Sequence, residues 1–466
     1  MLSEVFERFV EKSPISVMVR ASLERVLGAD RLDLWFERTA QKQYTRDLLF
    51  SSVYDMMNQV VFCVQPSVRA AYQAQQDDVG QVDPTPDATS LVSVYSKLNN
   101  LETSTAAELV RYSAREFAPL IAHMGGERAP WLEGYRIKIV DGNCLEASEH
   151  RVKELRDAQG RALPGKSLVV YEPAQGLITD VFPCENGHAQ ERSLFGALLK
   201  TVEAGDVWIE DRNFCTRDFL CDIDKREAFF ITREHRGLKF EILEALRECG
   251  RTETGSVAQQ RVKVVDEQGQ GHVFRRVRIK LKQATRDGDK IVHMLTNLPR
   301  RVSGQRVSDL YRKRWTLETA FQHLEAYFHS EINTLGYPKA ALFGFCLALV
   351  AYNLLAVVLA ALRGVYGEET VDEEVSLYYV ANEISTTYHG MMIAMPAPEW
   401  DVFYSMSPAE LAAILLDLAQ RVRLQAIRKS PRRPKKPRPQ GKKPARKGHV
   451  ATAKLLMNRQ AKLATP

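Results

Sequence analysis

The sequence has little of what marks a zinc-binding, disulfide-stabilised or exported protein. Its seven cysteines include no pair separated by two residues and no closely spaced even set, so we expect neither a zinc site nor a disulfide framework. The N-terminus lacks a basic stretch followed by an apolar one, so no signal peptide is expected. There is no G-x-x-x-x-G-K-[ST] loop, which argues against nucleoside triphosphate hydrolysis. A reducing, cytoplasmic compartment fits these absences.

Acidic residues are missing from the C-terminal segment. Residues 421–466 hold 16 of the 64 Lys and Arg and none of the 58 Asp and Glu, so residues 1–420 carry a net charge of −10. A flexible polycation binds polyanions by counterion release, with little sequence preference. A merely solubilising terminus is the alternative. Because prolines interleave the charges, we expect residues 428–466 to be an extended or disordered basic tail.

The hydrophobic periodicity changes several times along the chain, which predicts several structural regions. The length of 466 residues predicts the same. Apolar residues recur at helical spacing in the N-terminal part, whereas alternation typical of strands begins near Tyr135. After a second alternating stretch the pattern returns to helices. The expected regions are an N-terminal helical region at 1–128, an α/β core at 129–226 plus 297–362, a β-rich insertion subdomain at 227–296, C-terminal helices at 363–427 and the tail at 428–466.

One apolar segment, residues 340–362, is long enough to span a bilayer. It stands alone in the sequence and contains Asn353. Helices that are apolar on every side also occur buried in large soluble proteins. We therefore expect a core helix and no membrane association.

Three acidic residues stand where a metal-dependent nuclease of the ribonuclease H-like class needs carboxylates. Asp141 ends the alternating run 135–140, Asp211 ends the short run 207–210, and Glu318 lies in a long helical segment. Carboxylates at strand ends point into the crevice beyond the sheet edge. Mg²⁺ is held by one or two carboxylates, with water and phosphate oxygens completing its shell. The pattern predicts an α/β, ribonuclease H-like core with two metal positions for phosphodiester chemistry.

The segment that carries Glu318 shows a polar stripe. On a continuous helix with 100° per residue, Tyr311, Arg314, Glu318 and Glu325 fall on one narrow face. An Arg314–Glu318 ion pair, worth about 0.2–0.5 kcal/mol, is the simplest interpretation. Arginine, tyrosine and glutamate are also the residues that a phosphate-handling cleft uses. Arg212 is a further candidate, either for phosphate contact or for anchoring the strand end.

The motifs resemble those of the DDE transposases of bacterial insertion sequences. The matching branch carries Tyr-x₂-Arg-x₃-Glu-x₆-Lys on its glutamate helix, and Tyr311, Arg314 and Glu318 match its first three positions. Glu325 stands where that branch has lysine, which is a departure. Three other blocks also resemble the family: Val140-Asp-Gly-Asn143, Glu210-Asp-Arg-Asn-Phe214 and Ala351-Tyr-Asn-Leu-Leu355.

The resemblance implies a cut-and-paste transposase. It implies that Asp141, Asp211 and Glu318 hold two Mg²⁺ (or Mn²⁺) ions and that Tyr311 and Arg314 contact the phosphates of the transposon ends. Its partners would be double-stranded transposon ends and target DNA, bound by a homodimer in the bacterial cytoplasm at the nucleoid.

Two alternatives remain at this point. A transposase-derived DNA-binding protein without catalysis is one, and Glu325 is the hint in its favour. A metal-dependent DNA nuclease without strand transfer is the other.

Overall fold

The N-terminal part of the chain is helical, as expected. The computed structural model describes residues 4–41, 48–80, 90–145, 161–285, 288–332, 334–430 and 449–464. The N-terminal helices are α1 (Glu4–Lys12), α2 (Pro14–Leu27), α3 (Ala29–Thr39), α4 (Phe50–Val61), α5 (Val68–Gly80), α6 (Leu91–Asn100) and α7 (Thr103–His123).

The strands begin after α7 and occupy the middle of the chain, apart from one near the C-terminus. In chain order they are β1 (Arg136–Leu145), β2 (Arg161–Leu163), β3 (Gly165–Glu172), β4 (Leu177–Cys184), β5 (Asp206–Glu210), β6 (Phe229–Arg233), β7 (Glu241–Ile242), β8 (Arg247–Arg251), β9 (Gly255–Val265), β10 (Gly271–Leu281), β11 (Ile291–Thr296) and β12 (His449–Ala451).

Further helices lie between the strands and after them. They are α8 (Phe195–Leu198), α9 (Arg217–Lys225), α10 (Gly304–Arg312), α11 (Trp315–Tyr327), α12 (Pro338–Tyr366), α13 (Glu368–Glu374), α14 (Leu377–Ala394), α15 (Asp401–Tyr404), α16 (Pro408–Arg421) and α17 (Thr452–Ala464). Short 3₁₀ helices occupy Glu191–Leu194, Leu199–Thr201, Arg212–Phe214, Ala397–Glu399 and Leu424–Ile427.

The central sheet is mixed, and its first five strands run in the order β4-β3-β1-β5-β6. Strand β3 is antiparallel to both β1 and β4, whereas β1, β5 and β6 are mutually parallel. This mixed α/β arrangement is consistent with the ribonuclease H-like core expected from the sequence.

The sheet does not stop at β6. Strand β11 pairs antiparallel with β6, and β10, β9 and β7 follow along the same sheet, with β8 also paired to β9. The segment 227–296 was expected to be a separate β-rich subdomain, but its strands extend the central sheet. Its first strand, β6, runs parallel to β5 after helix α9 and so belongs with the core strands.

Side chains on the two faces of the sheet enter two hydrophobic cores because successive strand residues point to opposite faces. Ile139 and Ile209 face the larger core, which the sheet shares with α2, α4, α7, α12 and α16. Val140 and Trp208 face a smaller core with residues of α8 and α9. The N-terminal and C-terminal helices therefore pack together over one sheet face, and the domain boundaries inferred from the sequence remain predictions.

Helix α12 is the apolar segment identified in the sequence. Pro338 occupies its first turn and Gly367, at φ +84°, follows its last residue, which are the usual positions of proline and glycine around a helix. By length and composition α12 is able to cross a membrane, but 89% of its most apolar window is buried in the protein. Such burial is typical of a core helix, in agreement with the interpretation from the sequence.

Part of the C-terminal segment is ordered, which differs from the expected disordered tail. Strand β12 pairs in parallel with β2, so that His449 lies opposite Arg161, and α17 follows directly. Ala451 and Thr452 are buried. Burial of small side chains and backbone pairing hold this end, whereas residues 431–448, which carry most of the tail's charge, lie outside the described residues.

Candidate active site

Two of the three candidate carboxylates lie at the same level on adjacent parallel strands. Ile139 of β1 is paired with Ile209 of β5, and Asp141 and Asp211 each follow two residues later. Adjacent strands are about 4.8 Å apart, so the register alone brings the two aspartates together. Asp141 lies within β1, which continues to Leu145, and not at its end as the sequence predicted.

Asp211 follows the last residue of β5 and begins a short 3₁₀ helix. Its Oδ1 accepts a hydrogen bond from the backbone N–H of Asn213 at 2.7 Å, as a capping aspartate does. Its backbone carbonyl accepts from Oγ1 of Thr232 on β6 at 2.8 Å. These contacts fix the side chain at the carboxyl end of β5, where the sequence predicted it.

The third carboxylate, Glu318, lies in the first turn of α11, and a tight turn positions it. Helix α10 ends at Arg312, and the backbone N–H groups of Lys313 and Arg314 donate to carbonyls three residues earlier, both at 3.0 Å. Bonds of this 3₁₀ type wind more tightly than those of an α-helix. The continuous helical stripe expected from the sequence is therefore interrupted, and Glu325 lies exposed further along α11.

Arg314 links the glutamate to the strand. Its Nη1 donates to Oδ2 of Asp141 at 2.5 Å, and its Nη2 donates to Oε1 of Glu318 at 2.5 Å. The Arg314–Glu318 pair expected as the simplest interpretation is present, but Asp141 shares the same guanidinium. Short, charge-assisted contacts of this kind are the strong class of hydrogen bond.

Asp141 interacts electrostatically with both of the other carboxylates. Burial raises the pKa of Asp141 to about 6, the charges of Asp211 and Glu318 raise it as well, and Arg314 and the Gly142 N–H oppose the shift. Asp141 and Glu318 share the one guanidinium of Arg314, and the charge of Asp211 adds to theirs, which leaves an excess of negative charge. In a half-buried cleft such an excess favours a cation.

Tyr311 joins this group from the end of α10. Burial raises the pKa of its hydroxyl, with a further contribution from the charge of Asp211, whereas the charge and hydrogen bond of Arg314 lower it. The phenol therefore lies beside both Arg314 and Asp211. Arg212, the remaining candidate, is exposed at the start of the 3₁₀ helix after β5.

A fourth carboxylate, which sequence reasoning missed, borders the site. Oε2 of Glu191 accepts from Nδ2 of Asn213 at 3.2 Å, and a Cβ atom placed on Gly142 would come within 2.3 Å of its Oε1. Glu191 therefore lies between the residues that follow Asp141 and Asp211. Glu191 lies in a polar stretch of the sequence that contains no recognised motif, so it was not predicted as a site residue.

Glu210, next to Asp211, was also missed. It is fully buried, and neither of its carboxyl oxygens has a hydrogen-bond partner among the described residues. Burial, with the charge of Asp211, raises its pKa well above the ordinary value. Because of this burial, the neutral form of Glu210 is favoured over the charged form. Its side chain points to the sheet face opposite Asp211, so Glu210 is not part of the carboxylate group formed by Asp141, Asp211 and Glu318.

The basic strand faces of β9 and β10 are largely neutralised within the protein. Arg276 makes two hydrogen bonds to Glu234, at 2.5 and 3.0 Å, and Arg278 donates to Glu248 at 2.9 Å. Arg261 donates to Glu244 at 3.2 Å. Because these arginines are paired with glutamates of the same protein, only part of the positive charge of β9 and β10 is available to bind DNA.

The donor set fits a hard divalent cation, although the side chains are not arranged as ligands. Carboxylate oxygens are the protein ligands that Mg²⁺ prefers. Among the described residues, no three acidic, histidine or cysteine side chains are grouped so that they could hold one ion. Arg314 supplies the positive charge between Asp141 and Glu318 instead.

The mixed sheet flanked by helices defines an α/β domain, and its arrangement is consistent with the ribonuclease H-like type. Residues 132–354 match the family model of the transposase DDE domain. Over this part the chain is similar to the DDE transposases of insertion sequences, which confirms the resemblance that its motifs indicated. Proteins of this family process DNA and generally use divalent metal ions.

Curated relatives agree with this family. The chain is 24% identical, over 304 residues, to a putative transposase InsL for insertion sequence element IS186A from Escherichia coli (strain K12). It is also 24% identical over 304 residues to a transposase for insertion sequence element IS421 from Escherichia coli. Each alignment covers 57% of this chain and 77% of the relative.

Proposed function

We propose that this protein cleaves DNA at the ends of an insertion sequence and joins the freed ends to target DNA. The observation that supports the proposal is the level placement of Asp141 and Asp211 on adjacent parallel strands, with Arg314 bound to both Asp141 and Glu318. The similarity to DDE transposases indicates the class of reaction, DNA transposition.

Asp141, Asp211 and Glu318 would hold two divalent ions, Mg²⁺ or Mn²⁺. When bound, such ions polarise a phosphodiester and lower the pKa of an attacking water. The fit rests on the type of donor and on the charges of Asp211 and Glu318, which together with the larger effect of burial raise the pKa of Asp141.

Arg314 would exchange partners when DNA binds. Its guanidinium occupies one oxygen on Asp141 and one on Glu318, so it competes with any cation for those oxygens. A guanidinium pairs with phosphate in the same fork geometry as with carboxylate. Transfer of Arg314 to a phosphate of the transposon end would free both carboxylates.

Two further residues would position the DNA backbone. The hydroxyl of Tyr311, beside Arg314, would donate to a phosphate near the cleaved bond. The exposed Arg212 would contact a phosphate next to Asp211. Such contacts fix the register of the duplex without reading its sequence.

Recognition of the ends would fall to the N-terminal helices, and the basic segment 431–448 would add affinity for DNA of any sequence. Two ends must be brought together for transposition, so we propose a homodimer on DNA. The reaction would take place in the bacterial cytoplasm at the nucleoid, without a membrane.

A cleavage and strand-transfer assay tests the proposal. The substrate is duplex DNA with the ends of the element that encodes the protein, incubated with Mg²⁺, Mn²⁺ or chelator and a target plasmid. We expect metal-dependent cuts at the ends and joined products. Cuts without joined products would favour the nuclease alternative, and end binding without cuts would favour the DNA-binding alternative.

Substitution of each carboxylate in turn tests whether the activity depends on Asp141, Asp211 and Glu318. Asp141→Asn, Asp211→Asn and Glu318→Gln should each reduce cleavage at least about 10²-fold, because each removes a charge that the reaction requires. Asp417→Asn, in an exposed pair with Arg421, and Glu325→Gln, exposed on α11, serve as controls. Full cleavage by Asp211→Asn would contradict the assignment.

A further inference from the structure

A buried arginine with most of its donors unpaired lies near the end of α12. Arg363 is 4% exposed, and its Nε donates to the carbonyl of Gly126 at 2.7 Å. Its Nη1 and Nη2 have no hydrogen-bond partner among the described residues. A buried charge without a partner is strongly unfavourable, so this guanidinium needs a counter-charge.

The nearest carboxylate is already paired. Asp372 accepts from Nε and Nη2 of Arg128 at 2.8 and 3.0 Å. Burial, with the charge of Arg128, lowers the pKa of Arg363 to about 10, although Asp372 and Glu368 act in the opposite direction. Glu368 in turn accepts from the backbone N–H of Ala129. Two guanidiniums and two carboxylates therefore lie in this region, yet Nη1 and Nη2 of Arg363 donate to neither carboxylate.

The two arginines border a small, partly open cavity of about 20 Å³. The other polar side chains that line it are Tyr171 and Tyr352, and its remaining walls come chiefly from apolar side chains of α12. The rings of Tyr171 and Tyr352 lie side by side, with their centroids 6.4 Å apart. A volume of about 10–15 Å³ is enough for one particle the size of water.

The turn between β3 and β4 is shaped to admit Arg128. Gly176 has φ +76°, and a Cβ atom there would come within 2.8 Å of Nη1 of Arg128. Glycine adopts this conformation without strain. The absence of a side chain lets the guanidinium reach the edge of the cavity.

We propose that the cavity binds one small monovalent anion, such as chloride, between Arg128 and Arg363. The lining side chains offer guanidinium N–H and phenol O–H donors and include no carboxylate. A buried water is held by about three hydrogen bonds, donated as well as accepted, whereas an anion uses donors alone. The small volume excludes phosphate and other polyatomic anions of similar size.

The anion would join parts of the chain that are distant in sequence. Arg363 belongs to α12, Tyr171 to β3, and Arg128 to the segment between α7 and β1. The site therefore stabilises the fold and is independent of the proposed DNA chemistry. Its effect should appear in stability without DNA or metal.

Thermal unfolding of the full chain tests the proposal. We compare sodium chloride with sodium gluconate at equal ionic strength, since gluconate is too large for the cavity. The wild type should show a Tm about 1–2 °C higher in chloride, rising with concentration to saturation. Arg363→Met should lose this difference, whereas Arg421→Met, which removes an exposed arginine, should keep it. Equal Tm values in both salts for the wild type, or the same shift in Arg363→Met, would overturn the proposal.

A crystal of the wild type grown or soaked with sodium bromide provides a second measurement that does not depend on a variant. An anomalous peak within hydrogen-bond distance of Arg363 would confirm an anion. Density for water only, without an anomalous peak, would overturn the proposal. If Arg363→Met does not fold, the bromide experiment decides.

Discussion

Asp141 and Glu318 accept hydrogen bonds from the same guanidinium, although they lie on a strand and on a helix that are far apart in the chain. Arg314 reaches both at 2.5 Å. It comes from the tight turn between α10 and α11, so this turn determines how the helix carboxylate meets the strand carboxylate. The arginine thus holds the two acidic groups together in the protein without DNA.

We expect Arg314→Ala to weaken the complex with transposon ends, or its cleavage, by about 10-fold or more, since alanine cannot donate a charge-assisted hydrogen bond to phosphate. Glu325→Ala should have a much smaller effect because Glu325 is exposed further along α11. Gel-shift titration and single-turnover cleavage measure the two steps separately. Equal and negligible effects of both changes would show that this helix does not face DNA.

Arg314→Lys separates charge from geometry at the same position. Lysine keeps the positive charge but lacks the planar fork that donates to two partners at once. We expect it to bind ends better than Arg314→Ala and still to fall short of the wild type. Wild-type behaviour of the lysine variant would mean that only charge matters there.

The placement of the two aspartates could be predicted from the sequence because each follows a short stretch with the residue pattern of a strand. Asp141 and Asp211 each follow a short apolar run, and parallel pairing of such runs places their ends at one level. What the sequence did not show was that β1 continues past Asp141. The residues after it pair with β3, which is a long-range contact that no local pattern records.

Other features of the site depend on contacts that leave no local trace. The interruption at Lys313 and Arg314 contains neither glycine nor proline, so the segment looked like one helix. Glu210 reads as an ordinary charged residue, yet it is fully buried. Pairing of β12 with β2 joins two short segments almost 300 residues apart. Strand β12 was not predicted because it is short and follows a segment rich in Lys, Arg and Pro.

Asn353 should be required for stability. Its Oδ1 accepts from the backbone N–H of Ile178 at 2.7 Å, and its Nδ2 donates to the carbonyl of Ile178 at 2.9 Å and to Oγ of Ser113 at 3.1 Å. The β3–β4 register shifts at this point, between Val170 and Tyr171. Asn353→Ala leaves buried backbone groups unpaired, which costs about 1–3 kcal/mol for each group.

Urea unfolding followed by circular dichroism measures this destabilisation, and Asn100→Ala provides the control. Asn100 is exposed at the end of α6, where its Nδ2 bonds only to a carbonyl in its own helix. A change of less than about 0.5 kcal/mol is expected for the control, as for surface substitutions in general. Similar small effects of both changes would contradict the role given to Asn353.

Glu383 should make stability depend on pH. Burial raises its pKa to about 7, although backbone N–H groups of Ser16 and Ile15 act against the shift. The folded protein therefore retains a proton that the unfolded chain has released. The contribution to stability is fully present below about pH 4.5 and is lost as the pH rises through 7, by at most about 1.4 kcal/mol per pH unit.

Glu383→Gln removes this titration, so the variant should gain stability over the wild type as the pH increases from about 5 to 7. Urea unfolding at a series of pH values measures the difference. Glu373→Gln, at an exposed position on α13, is a matched control that should follow the wild type. A constant difference between Glu383→Gln and the wild type across this range would show that Glu383 is charged in the folded protein.

The basic segment 431–448 should add affinity for DNA without adding specificity. It contains nine Lys and Arg and no Asp or Glu. Because α17 and β12 lie beyond it and β12 pairs with β2, we would change the nine residues to Gln rather than truncate the chain. On duplex DNA, the slope of log affinity against log salt flattens by about 0.9 for each phosphate that the protein no longer neutralises.

Binding of this variant to random duplex DNA should weaken and its salt dependence should flatten. The ratio of its affinities for transposon ends and for random DNA should stay near the wild-type value. An unchanged slope, or a selective loss of end recognition, would require a different role for this segment.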